Sequence, residues 1–186
     1  MPSIERGPTL LALARASIAH ALGLPGAAVE MPPWLQEPGA SFVTLTQNGQ
    51  LRGCIGSLAA HRPLGEDVRA NAVAAALRDP RFPALSAAEW ERTRVEVSVL
   101  SPMQPLAFGS EAEAVAQLRP HVDGVVLEYG AHRGTFLPQV WEQLPMPKDF
   151  MAHLKSKAGL PANFWADGVR LQRYTVEKWK EDGPAP

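Results

Sequence analysis

Cysteine is all but missing: Cys54 is the only one in 186 residues. One thiol excludes an intramolecular disulfide and any metal or iron–sulfur centre built on a cysteine cluster. A surplus of either charge is missing too. Eighteen Lys and Arg stand against nineteen Asp and Glu, a net charge of -1. The chain therefore lacks the excess of cations with which nucleic-acid binders displace counterions from phosphates. No apolar run approaches the ~20 residues that span a bilayer. The opening MPSIERGPT has no basic start followed by an apolar core, so no secretory signal is expected. The five histidines, at 20, 61, 121, 132 and 153, show no HExxH or other recognised metal spacing. The expectation is a cytoplasmic protein with no metal or other cofactor, no membrane contact and no nucleic-acid partner. At 46% hydrophobic and 20% charged residues, the chain is apolar enough to fold as one domain or two small lobes.

What is present is ordered by glycine and proline. PTLLALARASIAHAL, residues 8–22, has helical apolar spacing, with Pro8 suited to a first helical position and Gly23 to the stop. GLPGAAVEMPPWLQEPG then reads as a long loop or arm. Ser41–Thr46 reads as a strand, Asn48-Gly49 as a tight hairpin turn, and LRGCIG, residues 51–56, as the return strand. Leu64–Leu77 reads as an alanine-rich helix that stops at Asp79-Pro80, because the proline ring disfavours helix in the residue before it. Ser86 with Glu89, and Ser110 with Glu113, fit capping boxes. Arg94–Leu100, Val122–Tyr129 and Gly168–Thr175 read as strands, and residues 147–158 as a helix. The fold class is α+β: two lobes of mainly antiparallel sheet flanked by helices. The domain is expected over residues 8–176, with 177–186 as a flexible C-terminal tail.

The halves resemble one another. TLTQNGQLRGCIG and VLEYGAHRGTFL each give a strand, a glycine turn and an Arg-Gly return strand, followed by a helix and a further strand. Two readings stand, an internal duplication of a hairpin–helix–strand unit or a chance likeness of two hairpins. The first pairs Arg52 and Cys54 with Arg133 and Thr135.

Strand side chains alternate faces. An extended LRGCIG puts Leu51 and Ile55 on the core face and Arg52 and Cys54 together on the other. A guanidinium there favours thiolate, the nucleophilic form. Gly53 and Gly56 leave room for a backbone or ligand and expose amides that could hold an oxyanion. The plainer reading is a small buried cysteine between glycines that mark a bulge. Arg52 and Arg133 could simply be exposed strand residues, or partners of Asp79 and Asp123. His121 and Asp123 share a face if their segment is extended, and would form a base with its orienting carboxylate. The five tryptophans read as core residues.

LRGCIGSL, DPRFPAL, VEVSVLSP, VDGVVLEYG, RGTFLPQVWEQLP and HLKSKAGLP, in this order, resemble the AMMECR family from about Leu10 to Tyr174. The closer likeness is to its bacterial branch, protein A of the AmmeMemoRadiSam system. His121 departs from the pattern, which has glycine there, and that puts a catalytic role for His121 in doubt. The resemblance implies an α+β fold of two lobes with a cleft near the LRGCIG segment, and work alongside a Memo-like protein and a radical SAM enzyme.

Two functions follow as expectations. In one, the chain is catalytic or ligand-binding: Cys54 is the nucleophile, Arg52 its activator, and Gly53, Gly56, Asp79, Arg133 and Thr135 line a site for a small molecule or peptide. In the other it is a non-catalytic adaptor in which LRGCIG is a packing element, and the proline-rich arm around MPPWLQEP is a docking strip.

Overall fold

The computed structural model describes residues 3–181 and divides into two compact units. In the first, α1 (Ser3–Ala21) is followed by the proline-rich arm and a short 3₁₀ turn at Pro33–Gln36. Next come β1 (Pro38–Gly39), β2 (Ser41–Gln47), β3 (Gln50–Gly56), β4 (Arg62–Pro63) and α2 (Leu64–Leu77). A second 3₁₀ turn, Ala87–Arg92, leads into β5 (Thr93–Leu100). The other unit contains β6 (Gln104–Pro105), α3 (Glu111–Ala116), β7 (Gly124–Tyr129) and β8 (His132–Phe136). A third 3₁₀ turn (Pro138–Glu142), α4 (Pro147–Lys157) and β9 (Arg170–Tyr174) complete it. The last strand, β10 (Val176–Lys180), joins the first unit's sheet.

Both main sheets have four strands, ordered β10-β5-β2-β3 and β6-β9-β7-β8. In each, the first strand of a glycine-turned hairpin is central, the second is the edge, and the strand after the helix pairs on the other side. The α+β expectation with antiparallel sheets holds, and the hairpin–helix–strand order recurs with the same strand adjacency in both units.

Alternation sets the first core. Val43, Leu45, Val95 and Val97 point to one face and pack under Leu10, Leu13 and Ile18 of α1 and Val68, Ala72 and Ala75 of α2. The alanines of α2 let that helix lie close to the sheet. In the second unit Val125, Leu127 and Leu171 pack against Phe150, Met151 and Leu154 of α4, with Trp141 stacked 3.7 Å from Phe150. Trp90 and Trp141 are core residues as expected.

Three expectations change. α1 starts at Ser3, so Pro8 lies inside the helix and does not begin it. The arm is no free docking strip: Leu35 is fully buried in the first core, and β1 pairs with β4. Residues 177–180 form the greater part of β10 and not a loose tail; Glu181 accepts from the Val95 amide (2.9 Å) and pairs with Arg15 (2.8 Å). The remainder of the expected tail, 182–186, lies outside the described residues. Among the described residues no helix is long and apolar enough to cross a membrane.

Candidate functional site

The LRGCIG segment is β3, an edge strand, and its geometry is set by one extra residue. The Gln47↔Gln50 and Thr46↔Leu51 pairs run regularly from the Asn48-Gly49 turn, but Leu45 then faces Gly53 and Thr44 faces Cys54. Arg52 is thus the inserted residue of a β-bulge. Without it, counting from the turn would set Cys54 opposite Val43, on the core face. The bulge moves Cys54 across to the outer face opposite Thr44, returns Ile55 to the core beside Val43, and leaves Leu51 outside, 44% exposed. Ile55 and Cys54 therefore lie on the expected faces, and Leu51 does not.

Arg52 is engaged by Glu89. Its Nε and Nη2 donate to the two carboxylate oxygens of Glu89 (3.1 and 3.3 Å), and its side chain is only 12% exposed. Glu89 also accepts from the Ser86 amide (2.9 Å) and from Gln47 (3.4 Å). The Ser86 amide, followed by Arg52, holds the Glu89 carboxyl down to about 2, against burial that raises it. This is an anchor for the bulge.

The cation at Cys54 is Arg81. Asp79, buried beneath the DPRF turn, accepts from the Cys54 amide (2.9 Å), and Arg81 Nη2 donates to the Cys54 carbonyl (3.3 Å). Arg81 also grips Asp79 through Nε (3.0 Å) and Nη2 (2.8 Å). That hydrogen bond holds the Asp79 carboxyl far below the carboxylate range despite burial, with the Cys54 amide adding to the effect. Arg81 is raised, chiefly by Asp79, with a small electrostatic contribution from Cys54. Together Asp79 and Arg81 occupy the outward amide and carbonyl of an edge strand, the groups that would otherwise recruit another strand. Cys54 and Thr44 are accordingly a non-hydrogen-bonded pair, whose side chains stand close. The Thr44 hydroxyl meets the half-buried sulfur at 3.3 Å.

The glycines make room for protein. A Cβ on Gly53 would lie 2.2 Å from the Ala75 carbonyl oxygen of α2, and one on Gly56 would lie 2.2 Å from the Phe42 ring. At both positions the missing side chain is what the packing requires. In the other unit Gly134 repeats the close helix approach, with Ala158 3.1 Å from its would-be Cβ. Arg133 is exposed and pairs with Glu128 (3.3 Å), and Thr135 meets the buried Tyr174 hydroxyl (3.1 Å). Burial raises the Tyr174 phenol, and the Thr135 hydrogen bond lowers it in part. Lys157 donates to the Thr135 carbonyl (2.9 Å), as Arg81 does at Cys54.

The sequence-predicted set therefore separates. Cys54, Gly53 and Asp79 come together; Arg52 and Gly56 lie beside them in β3; Arg133 and Thr135 stand in the second unit with partners of their own. The expected pairings also fail: Asp79 pairs with Arg81, and Asp123 pairs with Arg119 (2.7 Å). His121 is exposed in a left-handed turn (φ 64°), while Asp123 is fully buried, so no His–Asp pair forms. A left-handed φ is where glycine is favoured. Arg81 and Thr44 were not among the expected site residues, and Glu89 was expected only in the capping box that it does form with Ser86. Arg81 stands in the quoted DPRF stretch, and Thr44 becomes visible only once a bulge is placed in the hairpin. A further unread cluster centres on buried Asp67, which accepts from Ser41, Ser57, Arg62 and Asn71 and ties β2 to the start of α2. Among the described residues no group of His, Cys, Asp and Glu could hold a metal ion.

The family described as AMMECR1 matches residues 11–179. A protein of Methanothermobacter thermautotrophicus is 36% identical over 97% of this chain and 97% of its own. One of Thermotoga maritima is 39% identical over 75% of this chain and 76% of its own. The crystal structure of the uncharacterized protein PH0010 from Pyrococcus horikoshii is similar at a TM-score of 0.82. Its identity is 33%, and the match covers 97% of this chain and 95% of that one.

Proposed function

The chain belongs to the AMMECR1 family, and from that premise we propose that it is a ligand- and partner-binding component, not a thiol catalyst. It works in the cytoplasm with a Memo-like protein and a radical SAM enzyme. The likeness of its motifs to the bacterial AmmeMemoRadiSam protein A supports the choice of partners. One observation carries the non-catalytic reading. The polar groups nearest Cys54 are engaged within the fold: Arg52 Nε and Nη2 by Glu89, the Cys54 amide by Asp79, and the Cys54 carbonyl by Arg81. The side-chain neighbour of the sulfur is a threonine hydroxyl, which is not a base at neutral pH. Biolayer interferometry of wild type and Cys54→Ala against the Memo-like protein tests the proposal. Matching affinities support it; absence of binding by wild type overturns it.

A reactive Cys54 is the second reading, and Arg81 favours it. The guanidinium reaches the cysteine's own carbonyl and is 54% exposed, so it can draw an anionic reagent to the thiol. This reading expects iodoacetate to gain on iodoacetamide at Cys54, and the gain to vanish in Arg81→Gln. Equal ratios in the two proteins remove it.

A further inference from the structure

Arg52 and Arg81 are held in the same manner. Each is gripped by a carboxylate along its Nε–Nη2 edge, Arg52 by Glu89 and Arg81 by Asp79. Each guanidinium carbon also stands near the Phe82 ring, at 5.9 Å and 5.5 Å from its centroid. An edge-on bidentate grip fixes the plane of a guanidinium and turns its remaining amino group, Nη1, away from the carboxylate. At Arg52 that group is buried and has no hydrogen-bond partner. A buried donor left unpaired is costly and calls for an explanation. The Glu89 grip engages Nε and Nη2 and leaves Nη1 without a partner.

We infer that Arg52 Nη1 is the recognition group of an oxyanion site, taking a carboxylate or phosphate oxygen of a small ligand, with Phe82 as its cover. The ring belongs to the stretch between Asp79 and Leu85, in which Pro80, Arg81, Pro83 and Ala84 are exposed. Its two ends are fixed by Asp79 and by the bond from the Leu85 amide to the Ala76 carbonyl (2.8 Å). Opening of the site requires the Phe82 ring to move between these anchors. An entering oxyanion then meets Nη1 already oriented, with the exposed Arg81 guanidinium also beside the ring. Preorganised donors of this kind lose little on binding. The site gives a ligand class to the binding role proposed above and rests on that reading.

The test is an NMR titration of the full chain with inorganic phosphate and with acetate, at constant ionic strength in chloride, following backbone amides and arginine Nε–H signals. The expected result is a saturable shift centred on Arg52, Arg81 and Phe82, at least tenfold weaker in Arg52→Lys. The tighter of the two anions identifies the head group. Phenylglyoxal modification of Arg52, mapped by mass spectrometry on wild type, keeps the test open should Arg52→Lys not fold. Modification is then slowed by the preferred anion and accelerated at least tenfold in Phe82→Ala. Shifts that rise linearly and spread over surface arginines overturn the inference, as does modification indifferent to anion and to Phe82. Binding to the Memo-like protein is measured separately. Retained partner binding with no anion response refutes this site alone, and the reverse result refutes the partner reading.

Discussion

Gly53→Ala isolates what the motif does for the fold. The added methyl would lie 2.2 Å from the Ala75 carbonyl oxygen and 3.1 Å from its carbon, and real Cβ atoms essentially never approach within 3.0 Å. Both sides of the clash are backbone, β3 against α2, so a rotamer change cannot relieve it. One element must move by most of an ångström. Overpacking of that kind costs about 1–3 kcal/mol, and backbone on both sides argues for the upper end. The narrower unfolded ensemble of alanine offsets about 0.4–1 kcal/mol. The net expectation is a loss of about 2 kcal/mol. Gly134→Ala is the internal control: its closest neighbours are Ala158 atoms at 3.1 Å, which can yield by a few tenths of an ångström. That variant should stay within about 1 kcal/mol of wild type. Urea denaturation of both variants, followed by tryptophan fluorescence and far-ultraviolet dichroism, measures the difference. Equal stability of the two variants would refute the reasoning that Gly53 exists for helix approach.

Asp79→Ala strips the Cys54 amide of its partner and releases Arg81 to solvent; a loss of about 1–3 kcal/mol is expected in the same denaturation assay. Glu89 sits near 2 in the fold against its ordinary 4.5. A depressed carboxyl stabilises the fold fully above its unfolded value, and that contribution fades as pH falls through the folded one. The stability gap between wild type and Glu89→Gln should thus be constant from pH 7 to about 5 and close between about 5 and 2. A gap that widens with acid would contradict the Arg52–Glu89 assignment. His121→Gly relieves a left-handed backbone (φ 64°) and should stabilise the protein by up to about 1 kcal/mol in a thermal melt; a destabilised variant would show that His121 makes a contact of consequence.

The fold was legible where a single local rule decided it. Asn48-Gly49 has positive φ at both positions, as its hairpin required, and the alternation in Thr93–Leu100 gave a strand with Val95 and Val97 inward. The site was less legible because one inserted residue breaks the alternation, so residues before and after it no longer follow one pattern of faces. Arg52 and Cys54 looked like neighbours on an unbulged ribbon, yet the bulge sends one to Glu89 and the other to Thr44. Arg81 could not be assigned to Cys54 from the string, since their link runs from a turn to a strand edge 27 residues away. The C-terminal strand was hidden for another reason: VEKWK is a short, charged edge strand, and it is ordered by β5 and by Glu181 and not by its own propensity.

The most direct test of the central claim, that Cys54 is framework and the chain acts by binding, joins two readouts. Wild type and Cys54→Ala are each mixed with the Memo-like protein and the radical SAM enzyme, complex formation is followed by sedimentation velocity, and intact masses are recorded afterwards. The account predicts the same complex for both proteins and an unmodified mass for wild type. A covalent adduct on Cys54, or a complex lost in a folded Cys54→Ala, would contradict it.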